Sequence, residues 1–443
     1  MEGMDGNGEY IMIKVCDALM GSGKSTAAIQ YMRDNPDTKF LYLAPYLQEA
    51  ERIVNACPEL HFWTPQYFKT DRGNSKTDHA YILLKQKKNV ASTHQALMYY
   101  TPEMLEILKE NDYTVIIDEA VNVLEPVNTK NNKLNYKYNM QISTSDVNLL
   151  VNGGYIKETS PCEYHLTGVD YSEVVYKPIL KKMESVPLIR LDNSNRENNY
   201  SSWRWMFPTG LFENANTIFI LTYLFDGSEM QQYLEIHDLD YMYIGVEHTD
   251  KDTYRFTPNI GSYPQYVSKL KDMIHICTQG KMNEFGEDWY AMSENWYKQE
   301  KNRDKIERQK EKAATYFKNY AGSNTKGRKL CASYSELWDD IKGEGFKKKN
   351  SMLVFNQRAR NDWRDRTALY YPINVFMNPS VSRYYENHGG HLDEEKYALS
   401  TLIQWIWRSA IRDGNEIYLY VPPRRMRTLL TDWIDEVSAV STG

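Results

Sequence analysis

The stretch DALMGSGKST, residues 17–26, restricts the possible folds of this chain more than any other. It follows a run of strand-forming residues, YIMIKVC, and precedes a helix-like stretch, KSTAAIQYMRDN. Its glycines allow the backbone to turn N–H groups inward, and the helix that follows presents its positive end to the same point. Lys24 would then reach the β- and γ-phosphates of a nucleotide, and the Ser25 hydroxyl would ligate Mg²⁺. We predict a phosphate-binding loop made of Gly21, Ser22, Gly23, Lys24, Ser25 and Thr26.

A second motif favours this interpretation. The segment VIIDEA, residues 115–120, places Asp118 and Glu119 where a buried strand ends. In a doubly wound sheet, an acidic pair at the carboxyl end of such a strand lies beside the phosphate loop. We expect Asp118 to hold Mg²⁺, partly through water, and Glu119 to position the water that attacks the γ-phosphate. Taken alone, the first stretch could be a glycine-rich turn that holds no ligand, and the second could be a strand end that meets solvent.

A third motif lies near the C-terminus. A helix is predicted from about Asp393 to Arg412, and its last part reads QWIWRSAIR. Gln404, Arg408 and Arg412 are spaced by four residues and would project from one face of that helix. An arginine that reaches the γ-phosphate from a second domain would couple domain closure to hydrolysis. We predict that all three are catalytic. A surface arginine stripe paired with carboxylates is the alternative.

The order of strand-like and helix-like stretches predicts an α/β fold. Runs that are apolar on both faces, such as KFLYLAP and TIFILTY, are separated by helical patterns, which is typical of parallel sheets covered by helices. A chain of 443 residues is long enough for two or three domains of about 150 residues each. We predict a first domain at 1–228 with a polar insertion at about 126–205, and a second at 229–443 with a long charged helix at about 286–320.

Composition argues against several other classes of protein. No apolar run approaches the roughly 20 residues that cross a bilayer, and the N-terminus MEGMDGNGEY does not read as a signal peptide. The five cysteines are scattered without a CxxC pair, which disfavours a structural zinc site or a disulfide framework. A net charge of −6 gives no support to nonspecific polyanion binding but leaves a local basic track open. We expect a cytoplasmic protein with no membrane partner.

With these motifs in place, the sequence resembles the superfamily-two helicases and translocases of the DEAD/DEAH-box kind, which have two RecA-like domains. MGSGKST is similar to motif I, DEA to motif II and QWIWRSAIR to motif VI. The looser matches are LAPYLQEAERI to motif Ia, ASTHQALMY to a later DNA-contact motif, LTYLF to motif III, CASYSELWDDI to motif IV and RARNDWRDR to motif V. The segment NDWRDRTALYYPINVFMNP is especially like phage and mobile-element helicases. Motif VI departs from the family, because its arginines are four rather than three apart. The resemblance implies that Arg412 is the arginine finger and that Arg408 contacts the γ-phosphate or the DEA motif, with the exchange of these two roles as the alternative.

The resemblance implies roles for further residues. Thr222 takes the hydroxyl position of the motif that couples hydrolysis to movement. Five residues would lie near the phosphodiester backbone: Pro45, Tyr46, Thr93, His94 and Gln95. Contacts to phosphate and sugar give the sequence-independent binding that a translocase needs. For each of these five, packing at a strand end is the alternative, and His94 could equally be a structural histidine.

The function predicted from these features is ATP- and Mg²⁺-dependent movement along nucleic acid. The enzyme would be an ATP hydrolase and DNA helicase acting on single-stranded or forked DNA, with RNA also open. The resemblance places it in phage or mobile-element replication, inside a bacterial host cell, where other replication proteins are potential partners. The alternative is a DNA-stimulated ATPase that acts as a loader or packaging-type motor without separating strands.

Overall fold

The computed structural model describes residues 12–69, 73–127, 142–195, 198–250, 253–258, 265–319, 321, 328–343, 346, 348–356 and 363–440. The chain divides into two compact units. The first takes in residues 1–17, 23–260 and 378–392, and the second takes in residues 18–22, 261–377 and 393–443, as far as these are described.

Strands and helices alternate through most of the described residues. The strands are β1 (Met12–Asp17), β2 (Lys39–Ala44), β3 (Val90–Thr93), β4 (Tyr113–Asp118), β5 (Leu124–Pro126), β6 (Ile156–Ser160), β7 (Glu163–Leu166), β8 (Leu188–Asn195), β9 (Asn198–Met206), β10 (Thr217–Thr222), β11 (Tyr241–Asp250), β12 (Thr253–Thr257), β13 (Ile274–Ile276), β14 (Lys329–Ser333), β15 (Met352–Val354), β16 (Ala368–Tyr370) and β17 (Ile417–Tyr420). The helices are α1 (Lys24–Asp34), α2 (Leu47–Ala56), α3 (Lys76–Lys85), α4 (His94–Leu97), α5 (Pro102–Glu110), α6 (Thr144–Asn152), α7 (Lys177–Met183), α8 (Gly210–Asn214), α9 (Glu229–Ile236), α10 (Leu270–Met273), α11 (Gly280–Asn283), α12 (Glu294–Tyr297), α13 (Arg303–Asn319), α14 (Trp338–Ile341), α15 (Lys348–Ser351), α16 (Pro379–Asn387), α17 (Glu394–Ile406) and α18 (Arg424–Val440).

The first unit is built on a seven-stranded sheet in the order β12-β11-β1-β10-β4-β2-β3. Every neighbouring pair is parallel except β11 and β12, which form an antiparallel hairpin. Strand β10 lies between β1 and β4, so one strand separates the end of β1 from the end of β4. All six residues of β4 are buried, as expected for a central parallel strand covered on both faces.

The outer hairpin of this sheet packs against α1. The Phe256 ring on β12 stacks on Phe219 of β10 at 4.9 Å, and it lies 6.2 Å from the ring of Tyr31 on α1. Tyr31 and Phe219 are themselves 4.7 Å apart. These three rings join the edge of the sheet, its centre and α1 into one apolar cluster.

An antiparallel subdomain is inserted between β4 and β10. Its five-stranded sheet has the order β5-β9-β8-β7-β6, and α6 and α7 belong to the same segment. Helix α6 begins with a capping box, in which Ser143 and Asp146 satisfy each other's backbone N–H groups. This subdomain spans Leu124–Met206, in the region where the sequence predicted an insertion at about 126–205. Residues 128–141 of that prediction lie outside the described part of the chain.

The second unit contains a five-stranded parallel sheet in the order β13-β17-β16-β14-β15. Helix α17 precedes β17 in the chain, and α18 follows it. The two parallel sheets and the inserted subdomain confirm the predicted α/β fold class. In the part of the chain that is described, no helix combines the length and the apolar character needed to cross a membrane.

Two predicted boundaries need correction. The first domain does not end at residue 228, because β11 pairs in parallel with β1 and so brings residues 229–257 into the first sheet. The charged helix does not start near 286, because α13 begins at Arg303. The buried Asn302 amide donates to the carbonyl of Trp296 at 2.9 Å, and Ser293 caps the short helix α12. Such side-chain bonds to the backbone compete with a continuous helix.

Phe219→Ala tests the packing of the hairpin on α1. Phe219 is 2% exposed and contacts both Tyr31 and Phe256, so its loss leaves a cavity between the sheet and α1. We expect a cost of about 3–5 kcal/mol in the free energy of unfolding, measured by urea denaturation. The exposed Phe68→Ala is the control and should change stability by no more than about 0.5 kcal/mol. Equal effects of the two substitutions would contradict this packing.

Candidate active site

The turn between β1 and α1 has the backbone that the sequence motif requires. Gly21 has φ +82° and Gly23 has φ +94°, both in the left-handed region that favours glycine. A Cβ atom on Gly23 would lie 2.2 Å from Cδ1 of Tyr254 on β12. Helix α1 then begins at Lys24, and the Ala27 N–H donates to the Gly23 carbonyl at 2.8 Å. The free N–H groups of the first turn of a helix attract anions.

Lys24 lies partly buried at the start of this helix. Loss of hydration lowers the pKa of its ammonium group, and the neighbouring groups of Cys16, Asp118, Asp17 and Glu119 act in the opposite direction. A lysine with reduced hydration among carboxylates gains most when a polyanion such as a triphosphate binds beside it.

Asp118 connects the end of β4 to the phosphate loop. The Ser25 hydroxyl lies 3.3 Å from both carboxylate oxygens of Asp118 and donates to them. The Tyr42 hydroxyl on β2 donates to Oδ2 of Asp118 at 2.6 Å, and Nη2 of Arg52 lies 3.8 Å from the same oxygen. Burial raises the pKa of Asp118 above its ordinary value, although Tyr42, Arg52 and Lys24 oppose that rise.

The oxygens of Ser25 and Asp118 suit Mg²⁺. Hydroxyl and carboxylate oxygens are hard ligands, and Mg²⁺ usually keeps several waters and adds phosphate oxygens rather than filling a cage made of protein groups. Among the described residues, no group of three or more His, Cys, Asp or Glu side chains is arranged to hold a metal ion.

Glu119 follows Asp118 with an unusual backbone conformation. Its φ is +65°, a left-handed value that costs energy for a residue with a side chain. Its N–H donates to the Leu221 carbonyl on β10 at 2.9 Å, which fixes the turn. Strained residues of this kind cluster at functional sites.

Thr222 ends β10, the strand between the phosphate loop and the acidic strand. It is buried and pairs with Asp17 on β1, while the preceding Leu221 pairs with Asp118 on β4. Oδ2 of Asp17 accepts the N–H of Phe225 at 3.0 Å, and burial raises the pKa of Asp17. Thr222 is therefore placed between the ends of the two strands that bear the predicted nucleotide residues.

Sequence reasoning missed three side chains of this site. Asp17 was inside the opening motif but was not singled out. Tyr42 lies in an apolar strand, where nothing in the pattern distinguishes a tyrosine that bonds a carboxylate from one in the core. Arg52 is paired with Glu49 at 2.6 Å on α2, a spacing that reads as an ordinary surface ion pair.

The residues predicted to contact nucleic acid lie at one edge of the first sheet. Pro45 and Tyr46 follow β2, Thr93 ends β3, and Ala44 pairs with Thr93. The side chains of Tyr46 and Gln95 are exposed. The Thr93 hydroxyl caps α4 by accepting the Ala96 N–H at 3.3 Å.

His94 belongs to the packing of this edge. It is 9% exposed, and its Nε2 lies 3.2 Å from the Leu43 carbonyl. This geometry favours the structural alternative for His94 over contact with a ligand.

The three predicted catalytic residues of the second unit do not share one face of a helix. Gln404 is on α17, where its amide donates to the Ser400 hydroxyl at 3.1 Å, but α17 ends at Ile406. Arg408 lies in the turn that follows, and the exposed Arg412 lies on a separate 3-10 helix, Ala410–Asp413. The predicted helix to Arg412 is therefore wrong.

The early end of α17 has a local cause. The buried Ser409 hydroxyl donates to the Ile406 carbonyl at 2.6 Å, and Ser409 itself is extended. The Ala410 N–H then donates to the Arg366 carbonyl at 2.9 Å. Arg364 forms a two-pronged ion pair with Asp413, beside Arg412. The segments similar to motifs V and VI are thus bonded to each other within the second unit. Residues 357–362 of the former lie outside the described residues.

Comparison with solved structures gives helicases that align over most of this chain, each with a TM-score below 0.5. The chain is similar to S. tokodaii Xpd4, with a TM-score of 0.45 and 13% identity over 96% of this chain and 94% of that one. An XPD helicase gives a TM-score of 0.44 and 11% identity over 96% and 95% of the two chains. The helicase MrfA bound to DNA and AMPPNP gives a TM-score of 0.31 and 12% identity over 97% and 49%.

Comparison with known sequences gives a much closer relative. Residues 268–434 match the family model of the YonV C-terminal Rossmann-like domain. The SPbeta prophage-derived uncharacterized protein YonV of Bacillus subtilis (strain 168) is 30% identical over 435 residues, which cover 96% of this chain and 98% of that protein. Identity at this level over nearly the whole of both sequences shows that the chain belongs to the YonV family.

Proposed function

We propose that this protein hydrolyses ATP to move along nucleic acid, as a helicase or translocase. The observation that supports this proposal best is the meeting of two separate motifs, because the Ser25 hydroxyl lies 3.3 Å from both carboxylate oxygens of Asp118. These residues are 93 positions apart in the chain. Their contact at the carboxyl ends of parallel strands is the arrangement that a nucleoside-triphosphatase of the phosphate-loop class requires.

Each residue of the predicted nucleotide site has a role in this proposal. Gly21, Ser22, Gly23 and Thr26 surround the phosphates at the start of α1, and Lys24 binds the β- and γ-phosphates. Ser25 and Asp118 hold Mg²⁺, which neutralises charge on the phosphate oxygens when it is bound. Glu119 orients and polarises the attacking water, and Thr222 connects the phosphate end of the site to its neighbouring strands.

The second unit is proposed to supply positive charge to the transition state. Arg412 is exposed on its short helix, and Arg408 lies four residues before it. We assign the finger role to Arg412 and a γ-phosphate contact to Arg408, with Gln404 on α17 as a polar neighbour. Two domains that close over ATP and open after hydrolysis would move relative to a bound strand.

The edge formed by β2 and β3 is proposed to hold single-stranded or forked DNA. Pro45, Tyr46, Thr93 and Gln95 follow the carboxyl ends of these adjacent strands, where backbone and short polar groups can bind phosphate and sugar. The kinship with a prophage-derived protein supports a role in phage replication. A strand-displacement assay beside an ATPase assay separates unwinding from translocation or loading, since DNA-stimulated hydrolysis without displacement would favour the latter.

Lys24→Ala and Glu119→Gln test the hydrolytic site. Both variants should lose ATP turnover, the first because phosphate binding is lost and the second because the water is no longer polarised. Glu119→Gln should still bind ATP, measured by calorimetry, while Lys24→Ala should bind it weakly. Lys88→Ala removes an exposed lysine from the same unit and should keep full turnover. Full turnover in Lys24→Ala would refute the proposed site.

Arg412→Ala tests the proposed finger. Loss of a true finger lowers the hydrolysis rate by about 10³-fold or more, with a smaller effect on ATP affinity. Arg408→Ala should have the weaker effect of the two. Arg424→Ala removes another exposed arginine of the second unit and should leave the rate unchanged. A larger rate loss in Arg408→Ala would exchange the two roles.

Asp118→Asn is expected to separate stability from function. Burial raises the pKa of Asp118. At pH values between the ordinary and the raised pKa, the folded protein therefore binds more protons than the unfolded chain. The free energy of unfolding then falls as the pH rises through this range. Asparagine removes this loss, so the ligand-free variant should melt at a higher temperature than the wild type near neutral pH. The difference should vanish below about pH 4, where the unfolded carboxyl is also protonated.

The control for this comparison is Asp37→Asn, which changes an exposed carboxylate in the turn after α1. It should leave both the melting temperature and the ATPase rate close to those of the wild type. Asp118→Asn should in addition lose Mg²⁺-dependent hydrolysis. A melting temperature of Asp118→Asn that lies below the wild type at neutral pH would contradict the proposed electrostatics.

A further inference from the structure

A tyrosine on the outer hairpin lies directly against the phosphate loop. Three ring atoms of Tyr254 come within 2.2–2.7 Å of the position that a Cβ on Gly23 would occupy. Tyr254 is partly exposed, so part of the ring remains open to solvent at the point where α1 begins. Tyr254 lies 231 positions after Gly23 in the chain, and no sequence motif points to it.

A second ring extends this surface. His248 on β11 pairs with Tyr254 on β12 across the hairpin, and their ring centroids are 4.7 Å apart with an interplanar angle of 32°. His248 is exposed. The two rings form a small aromatic platform next to the first turn of α1.

The platform is held in place by the packing below it. Phe256 is two residues after Tyr254, so both side chains lie on the same face of β12. Phe256 stacks on Phe219 and lies beside Tyr31 of α1. The hairpin is therefore fixed to α1, and Tyr254 is placed at the end of α1 where phosphates are expected.

The strand order indicates how a nucleotide bound at this loop would be oriented. Asp118 and Glu119, which are proposed to act at the γ-phosphate, lie at the carboxyl end of β4, on one side of β1. The hairpin β11–β12 lies on the opposite side of β1. A triphosphate with its γ-phosphate near Asp118 therefore extends its nucleoside end toward the hairpin.

We propose that Tyr254 and His248 bind the base of the nucleotide by stacking. This inference rests on the proposed function, because it assumes that the phosphates occupy the loop at Gly23–Ser25. Every base has a π-face, so stacking on aromatic rings tolerates all of them. The ligand class is then a purine or pyrimidine nucleoside triphosphate, with only modest preference for adenine over guanine.

The test compares nucleotide with tripolyphosphate, which has the phosphates but lacks the base. Isothermal titration is carried out with ATP, GTP and tripolyphosphate on the full-length wild type, Tyr254→Ala, Tyr254→Phe and Tyr67→Ala. Base stacking is worth about tenfold to a hundredfold in affinity, so Tyr254→Ala should lose that factor for ATP and GTP. Its affinity for tripolyphosphate should stay within about twofold, since phosphate contacts are unchanged. Tyr254→Phe retains the ring, and Tyr67→Ala removes an exposed tyrosine elsewhere in the unit, so both should behave like the wild type.

Each other outcome has a definite meaning. If Tyr254→Ala weakens ATP and tripolyphosphate equally, Tyr254 only shapes the loop around Gly23 and the stacking proposal is overturned. An unchanged ATP affinity in Tyr254→Ala overturns it as well. If the wild type binds neither ATP nor tripolyphosphate, the proposed function fails and the inference fails with it. Thermal melting of each variant shows whether the fold is retained.

Discussion

The buried carboxylate of Asp118 is the constraint on which the rest of the first unit depends. Removing an ionised group from water costs several kcal/mol unless other groups replace its hydration. Here the Tyr42 and Ser25 hydroxyls donate to it, and the cations of Arg52 and Lys24 lie nearby. The raised pKa shows that these partners do not fully compensate. A cation bound at the proposed Mg²⁺ position would add to this compensation.

The same region stores backbone strain where two strands end. Gly21 and Gly23 take left-handed conformations at no steric cost, but Glu119 takes one with a full side chain, which costs about 1–3 kcal/mol. The Glu119 N–H bond to Leu221 holds this conformation in place. Strain of this size persists only where surrounding structure fixes it, and here it redirects the chain directly after Asp118. The strained position and the predicted catalytic glutamate are the same residue, which strengthens the case for its role.

The sequence predicted the central strands of both sheets because each is a short apolar run between helices, as in YTVIIDE for β4. From the sequence, the hairpin β11–β12 was assigned to the wrong unit, because the residue pattern of a strand does not indicate which other strand it pairs with. The end of α17 was missed because Ser409 stops the helix with its side chain, without a glycine or proline. Lys24, Ser25 and Asp118 could be predicted as parts of one site because each lies in a short local motif. Tyr42 contacts Asp118, and Tyr254 lies beside Gly23, only through tertiary packing, so a linear pattern could not reveal them.

The segment Asn378–Leu392 has a place in the fold that none of the sequence motifs predicted. It follows β16 and precedes α17, yet it folds with the first unit. Arg383 on α16 donates to the Asp192 carbonyl at 2.8 Å, and the His391 N–H bonds to the Gln232 amide oxygen. The chain therefore leaves the second unit at Met377, completes the first, and returns at Asp393. Arg408 and Arg412 lie shortly after that return. The chain also passes between the units at residues 17–18, 22–23 and 260–261, so neither unit is one continuous stretch of the sequence.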